Sequence, residues 1–216
     1  MTESKSRLGF IGLGLMGQGF TKCLINAGYQ VIGYDLEQQK IDLALEHGVI
    51  PAQNSREVTE SSDIVIICVT TTQDVNDVVF GSNGVVSGAS KGKVLIDHST
   101  TAHGDTKIMA SRLASETGMG WVDAPVSGGP EGAKNGTLAI MGGGSDKDIA
   151  KVEDVMDTMS ETFTVFGPVG SGQIAKMVNQ ILVLNNYAII AEALALAEAG
   201  GIDASKIPDA LAVGYA

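Results

Sequence analysis

Leu8-Gly9-Phe10-Ile11-Gly12-Leu13-Gly14-Leu15-Met16-Gly17 is the stretch that decides the fold of this chain. Leu8 to Ile11 is a short apolar run, as a buried strand is, and the segment from Leu15 to about Ala27 has helical spacing and is closed by Gly28. The order is strand, glycine turn, helix. Gly12 permits the tight turn, Gly14 lets the backbone approach a pyrophosphate, and Gly17 lets the helix pack closely on the strand. The free N–H groups and positive potential of the helix N-terminus favour an anion there. A second strand, Tyr29 to Tyr34, ends in Asp35, at the spacing of a carboxylate that accepts hydrogen bonds from a ribose hydroxyl. These features assign Gly12, Leu13, Gly14, Leu15, Met16, Gly17 and Asp35 to a dinucleotide. The plainer alternative is a tight strand-helix turn, and Asp35 has a second possible role as N-cap of the next helix.

Asp35 also bears on cofactor choice. It would repel a 2′-phosphate, and Leu36 and Glu37 stand where an arginine would help to hold one, so NAD is expected over NADP. Lys40, one helical turn on, is the residue that could still reach a phosphate.

Outward from this motif, apolar runs alternate with helical patterns, as a parallel sheet requires. Ile41 to Gly48 reads as helix, Asp63 to Val69 and Lys93 to Asp97 as strands, and Gly81 to Gly92 as loop with a short helix. A helix from about Ala102 to Thr117 precedes the strand Gly120 to Ala124, and a further strand spans Thr137 to Met141. Ser145 caps a helix to about Met159, and Thr162 to Phe166 forms a last strand. The expected fold is a Rossmann-type, doubly wound α/β domain over residues 1–168, its sheet mostly parallel. Residues 169–216 then hold a long interdomain helix and the start of an all-helical domain.

With 216 residues, 44% of them apolar, the chain has ample core material, and its net charge of −11 argues against nucleic acid or an anionic membrane surface. Cys23 and Cys68 make no disulfide framework, and His47, His98 and His103 lack ligand spacing, so neither a metal nor a zinc mechanism is expected. The N-terminal residues carry no apolar targeting segment. Ile181 to Ala199 is interrupted by Asn185, Asn186, Glu192 and Glu198, and reads as a buried helix of a cytoplasmic protein rather than a membrane span.

Ligands of such sheets bind outside the carboxyl ends of the strands, which brings the following loops under suspicion. Val69-Thr70-Thr71-Thr72 and His98-Ser99-Thr100-Thr101 are hydroxyl-rich, and each residue could simply cap the next helix. In Asp123-Ala124-Pro125-Val126-Ser127-Gly128-Gly129-Pro130, a serine and two glycines could present a hydroxyl and backbone N–H groups to a carboxylate, or form a turn bounded by prolines. Finally, Gly170-Ser171-Gly172-Gln173-Ile174-Ala175-Lys176-Met177-Val178-Asn179 puts an amine and an amide three positions apart on one helix. A lysine that feels the helix N-terminus and is partly desolvated has a lowered pKa, suited to general acid/base work. An ordinary solvated lysine is the alternative.

Taken together, and in this order, the glycine motif, the Asp123 to Gly129 loop and the Gly170 to Asn179 segment resemble the β-hydroxyacid dehydrogenase family. This family includes enzymes of the 3-hydroxyisobutyrate dehydrogenase and tartronate semialdehyde reductase type and, more distantly, 6-phosphogluconate dehydrogenase. The resemblance implies that Lys176 donates and accepts the proton, that Ser127, Gly128 and Gly129 bind the carboxylate side of the substrate, and that Asn179 orients it. It implies further that Ser99 lies in a loop that contacts the cofactor near its nicotinamide, and that Thr70 and Thr71 lie in another cofactor-contacting loop, although threonines stand there in place of the Leu-Pro of many relatives. The implied partners are a small carboxylate-bearing hydroxyacid or its semialdehyde, together with further copies of the chain in a homo-oligomer. A non-catalytic dinucleotide-binding module and an imine or ketone reductase on the same scaffold remain as alternatives. Family members continue past the long helix into a helical domain, whereas this chain stops at Ala216.

Overall fold

The computed structural model describes residues 6–212. It divides into two units, Met1–Lys176 and Met177–Ala216. In the first, six parallel strands form one sheet: β1 (Leu8–Ile11), β2 (Val31–Tyr34), β3 (Ile50–Pro51), β4 (Ile64–Ile67), β5 (Val94–Asp97) and β6 (Gly120–Asp123). Their order is β3-β2-β1-β4-β5-β6. The chain winds outward twice from β1, and the connections run through α1 (Leu15–Asn26), α2 (Gln38–Leu45), α3 (Ser55–Glu60), α4 (Thr72–Phe80), α5 (Val85–Gly88) and α6 (His103–Thr117). This is the Rossmann topology, with the strand order reversing between β1 and β4.

Both faces of the sheet are covered, which is why β4 reads Ile-Val-Ile-Ile without polar alternation. Leu8, Phe10, Ile64, Ile66, Val94 and Ile96 enter one core, with Phe20 and Leu24 of α1. Val65, Ile67, Leu95 and Trp121 enter the other, with Val75, Val79 and Leu113. The register places Ile11, Ile67, Asp97 and Asp123 side by side at the carboxyl ends of four neighbouring strands. Two buried carboxyl groups therefore lie on the line where ligands bind.

The later strands stand apart from the six-stranded sheet. The segment after β6 holds a short strand, β7 (Val126–Ser127), and a helix, α7 (Gly129–Asn135). Strand β7 pairs antiparallel with β8 (Leu138–Gly142), which pairs parallel with β9 (Ser160–Val165), so these three form a second small sheet. Gly128 and Gly129, both at positive φ, turn the chain from β7 into α7. Helix α7 packs closely on α1: a Cβ at Gly19 would lie 2.9 Å from that of Ala133. Between β8 and β9 runs α8 (Asp146–Met159), whose first turn is capped by Ser145 as expected.

Helix α9 (Ser171–Ala199) begins in the first unit and supplies most of the second, followed by a 3-10 turn (Ala204–Lys206) and α10 (Ile207–Leu211). The expectation that Ile181 to Ala199 is buried does not hold. Ile181, Leu182, Leu184, Tyr187, Ile189, Ile190 and Leu196 are exposed, and Ala197 is the buried apolar residue among those described in this unit. The helix is about 44 Å long at 1.5 Å per residue. By length and composition it also meets the requirements of a membrane-crossing helix.

Candidate active site

At the first loop, the three glycines have three separate reasons. Gly12 has φ 96°, and a Cβ there would strike the carbonyl oxygen of Cys68 beyond β4. A Cβ at Gly17 would strike the carbonyl oxygen of Gly12, so α1 could not start where it does. At Gly14 a Cβ would meet nothing within 4 Å, which leaves an open approach to the backbone. Leu13 is buried and its N–H donates to Asp35 Oδ2 at 2.8 Å; Leu15 is exposed and Met16 half-buried. Asp35 Oδ1 accepts from the Glu37 N–H at 2.9 Å. Asp35 is thus not an N-cap, since the cap of α2 is Glu37. Its carboxylate instead ties the glycine turn to the end of β2 and keeps lone pairs for a further donor.

A groove of about 640 Å³ opens at the reversal of strand order and is lined by Gly12, Gly14, Asp35, Lys40, Thr70 and Asp74, among others. Glycine turn, open approach at Gly14, helix N-terminus and carboxylate fit a dinucleotide. Lys40 pairs with Glu37 at 2.8 Å and lies 3.8 Å from Asp35; its hydrogen bond to Glu37 raises its pKa.

In the neighbouring loops, Thr70 is exposed on the groove, while Thr71 caps α4 in a reciprocal box with Asp74. Ser99 is buried. Its Oγ accepts from the Val69 N–H at 3.0 Å and its own N–H donates to Asp97 Oδ1 at 2.9 Å, so it joins the loops after β4 and β5. Asp97 Oδ2 has no hydrogen-bond partner among the described residues, and burial pushes the Asp97 carboxyl up to about 7. His98 stacks on Phe20 and its Nδ1–H donates to the Ala124 carbonyl at 2.6 Å; burial drives its pKa down to about 4, so the ring is neutral at pH 7. Burial also holds the Cys68 thiol up at about 12, which makes it inert.

The start of α9 is seated on β6. Asp123 accepts from the Gly170 N–H at 2.6 Å and the Gln173 N–H at 3.0 Å. Burial raises its pKa against these bonds, which favour the charged form. A Cβ at Gly172 would strike the carbonyl of Met141, so this approach needs glycine. Lys176 follows, half-buried, and its Nζ donates to the Val126 carbonyl at 2.7 Å, next to Ser127 and the glycine pair. Burial lowers the Lys176 pKa. The helix dipole is not needed for that shift, because Lys176 stands beyond the first turn of α9, where the dipole acts.

The first unit therefore brings together the glycine turn, Asp35 and Thr70 around one groove, Ser99 beneath the neighbouring loop, and Lys176 at the Val126 carbonyl. Thr71 is engaged as a cap, and Asn179 lies in the second unit, donating to Gln180. Sequence reasoning passed over Asp123 and Gln173 as working residues. The available signal was an aspartate ending a buried strand and a glutamine three positions before the lysine. Among the described residues no group of three His, Cys, Asp or Glu side chains is placed to hold a metal.

Residues 7–167 match the family model described as the NAD binding domain of 6-phosphogluconate dehydrogenase. Residues 170–216 match that described as NAD-binding of NADP-dependent 3-hydroxyisobutyrate dehydrogenase. The chain is 39% identical to 2-hydroxy-3-oxopropionate reductase of Escherichia coli over 97% of its own length and 71% of that protein's. It is 36% identical to 2-(hydroxymethyl)glutarate dehydrogenase of Eubacterium barkeri, over 90% of this chain and 64% of that one. A solved structure of 3-hydroxyisobutyrate dehydrogenase from Mycobacterium tuberculosis, with L-serine, superposes with a TM-score of 0.88 at 31% identity, covering 98% of this chain and 72% of the other.

Proposed function

The chain belongs to the β-hydroxyacid dehydrogenase family, and from that premise we propose that it is an NAD-dependent oxidoreductase acting on the hydroxyl-bearing carbon of a small, carboxylate-bearing β-hydroxyacid or its semialdehyde. The observation that carries this reading is the position of Lys176. Its amine is half-buried and tethered to the Val126 carbonyl, beside the Ser127-Gly128-Gly129 turn and one helical turn after Gln173.

The nicotinamide, when bound, supplies the hydride acceptor or donor. In oxidation, the neutral Lys176 amine takes the hydroxyl proton as the C–H hydride departs; in reduction, the ammonium returns that proton to the carbonyl oxygen. Burial favours the neutral amine, so the oxidative rate rises with pH below the ordinary lysine range, and the reductive rate falls over the same interval. Ser127 and the N–H groups of Gly128 and Gly129 hold the substrate carboxylate. Ser99 and Thr70 face the dinucleotide, and Thr71, next to Thr70, caps α4. NAD is favoured because Asp35 and Glu37 present negative charge at the ribose while Lys40 is committed to Glu37. The protein acts in the cytoplasm, as a homo-oligomer, without a metal.

A panel of β-hydroxyacids, 2-hydroxyacids and cyclic imines, each with NAD(H) and NADP(H), tests this reading. The expected result is selective turnover of β-hydroxyacids. Turnover of the imines alone, or dinucleotide binding with no turnover of any member, contradicts it.

A further inference from the structure

One side chain links the loop after β5 to the helix that carries Lys176. Gln173 is buried, and both ends of its amide are used: Oε1 accepts from the Thr101 N–H at 3.0 Å, and Nε2 donates to the Ser99 carbonyl at 2.9 Å. Its backbone N–H at the same time donates to Asp123 Oδ2 at 3.0 Å. Three segments far apart in sequence, the ends of β5 and β6 and the first turn of α9, therefore meet at this residue.

The number of bonds matters. Asp123 receives two N–H groups and fixes where α9 starts, but a helix held only at its first turn can still pivot about that point. A planar amide with two directed bonds to one loop removes the pivot. Lys176 is the next residue on that face of α9, three positions on. Its amine donates to the Val126 carbonyl. Ser99 itself is tied through its hydroxyl to Val69, at the rim of the dinucleotide groove.

We propose that Gln173 is a positioning residue that sets the Lys176 amine relative to the Ser99–Thr101 loop, and hence relative to the nicotinamide end of the cofactor. Its functional meaning rests on the reading of Lys176 given above.

The test uses the full chain and two variants: Gln173→Met, which keeps the volume and removes both amide bonds, and Gln173→Glu. Two readouts need no turnover. One is the emission of bound NADH, which reports the surroundings of the nicotinamide. The other is the pH midpoint for acylation of Lys176, followed by peptide mass. For Gln173→Met, NADH affinity stays within about threefold of the parent, because the glycine turn is untouched. The NADH emission reverts toward that of free dinucleotide, and the Lys176 midpoint rises toward the ordinary lysine range. In Gln173→Glu the ionised carboxyl faces the Ser99 carbonyl and loses the donor, whereas the protonated carboxyl restores it. The parent emission therefore returns as pH is lowered, and in Gln173→Met it does not. That contrast within one folded protein marks the bridge itself, and it decides the question if Gln173→Met fails to fold. Unchanged readouts in Gln173→Met, a change in only one of the two, or a pH-independent Gln173→Glu would overturn the proposal. If Lys176 is not the proton-transfer group, Lys176→Ala keeps its turnover while the Gln173 readouts still move, so the two ideas fail separately.

Discussion

The turn after β1 and the start of α9 solve a similar problem in different ways. Each brings backbone N–H groups to an aspartate at the end of a strand: Leu13 and Glu37 to Asp35, Gly170 and Gln173 to Asp123. Around Asp35 the geometry is dictated by sterics, through glycines whose missing Cβ atoms make room for backbone, and the carboxylate faces a groove. Around Asp123 it is dictated by buried hydrogen bonds, and the carboxylate is sealed from solvent. The first arrangement leaves its carboxylate available to a ligand. The second uses its carboxylate to hold a helix, and the chemistry is left to Lys176 farther along.

The sharpest way to break this contrast is at Gly12. Gly12→Ala must leave φ 96° or push the Cys68 carbonyl aside, at a cost of roughly 2–4 kcal/mol. NADH affinity should fall by about a hundredfold or more and the thermal midpoint should drop. Calorimetric titration with a melting curve checks both, and an unchanged affinity would mean that the turn does not contact the dinucleotide. A smaller effect is expected at Asp35, whose charge and engagement with the turn favour NAD. The chain should bind NAD about tenfold or more tighter than NADP, equivalent to about 1.4 kcal/mol. Equal affinities would direct attention to Lys40.

The third test belongs to the sealed side, where two buried groups oppose each other. Asp97 is raised from 3.8 to about 7, so the folded state binds its proton more tightly, and its contribution to stability is lost as pH rises through 7. His98 is lowered from 6.5 to about 4, so its contribution is full above 6.5 and is lost as pH falls through 4. Between about 4 and 6.5 the two slopes cancel, one proton against one. Asp97→Asn removes one of them and should leave stability rising with pH across that window, by up to about 1.4 kcal/mol per unit. Urea unfolding at several pH values measures it, and a parent and variant of equal slope would contradict this account of Asp97.

The contrast also explains what was legible in the sequence. The first arrangement is local: glycines, the strand before them and the aspartate after the next strand lie within 30 residues, and each residue type has a steric or electrostatic reason to stand where it does. The parallel pairing of five of the first six strands follows from the same alternation, whereas β3, two residues long, leaves no such signal. The second arrangement joins Ser99 and Asp123 to Gln173, and no local pattern links residues separated by 74 and 50 positions. The Ser127 to Pro130 segment was readable as a glycine turn, but not as the hinge between β7 and α7, because that depends on pairing with β8. The apolar length of α9 suggested burial, yet burial depends on what packs against a helix and not on its own composition.

The most direct test of the account is a single-turnover measurement of semialdehyde reduction from bound NADH, with protein in excess, on the parent chain and on Lys176→Ala. The account predicts a fall of about a hundredfold or more in the reductive rate, with NADH affinity unchanged within about twofold. A rate that survives the substitution, or a loss confined to NADH binding, would contradict the assignment of Lys176 as the group that moves the proton.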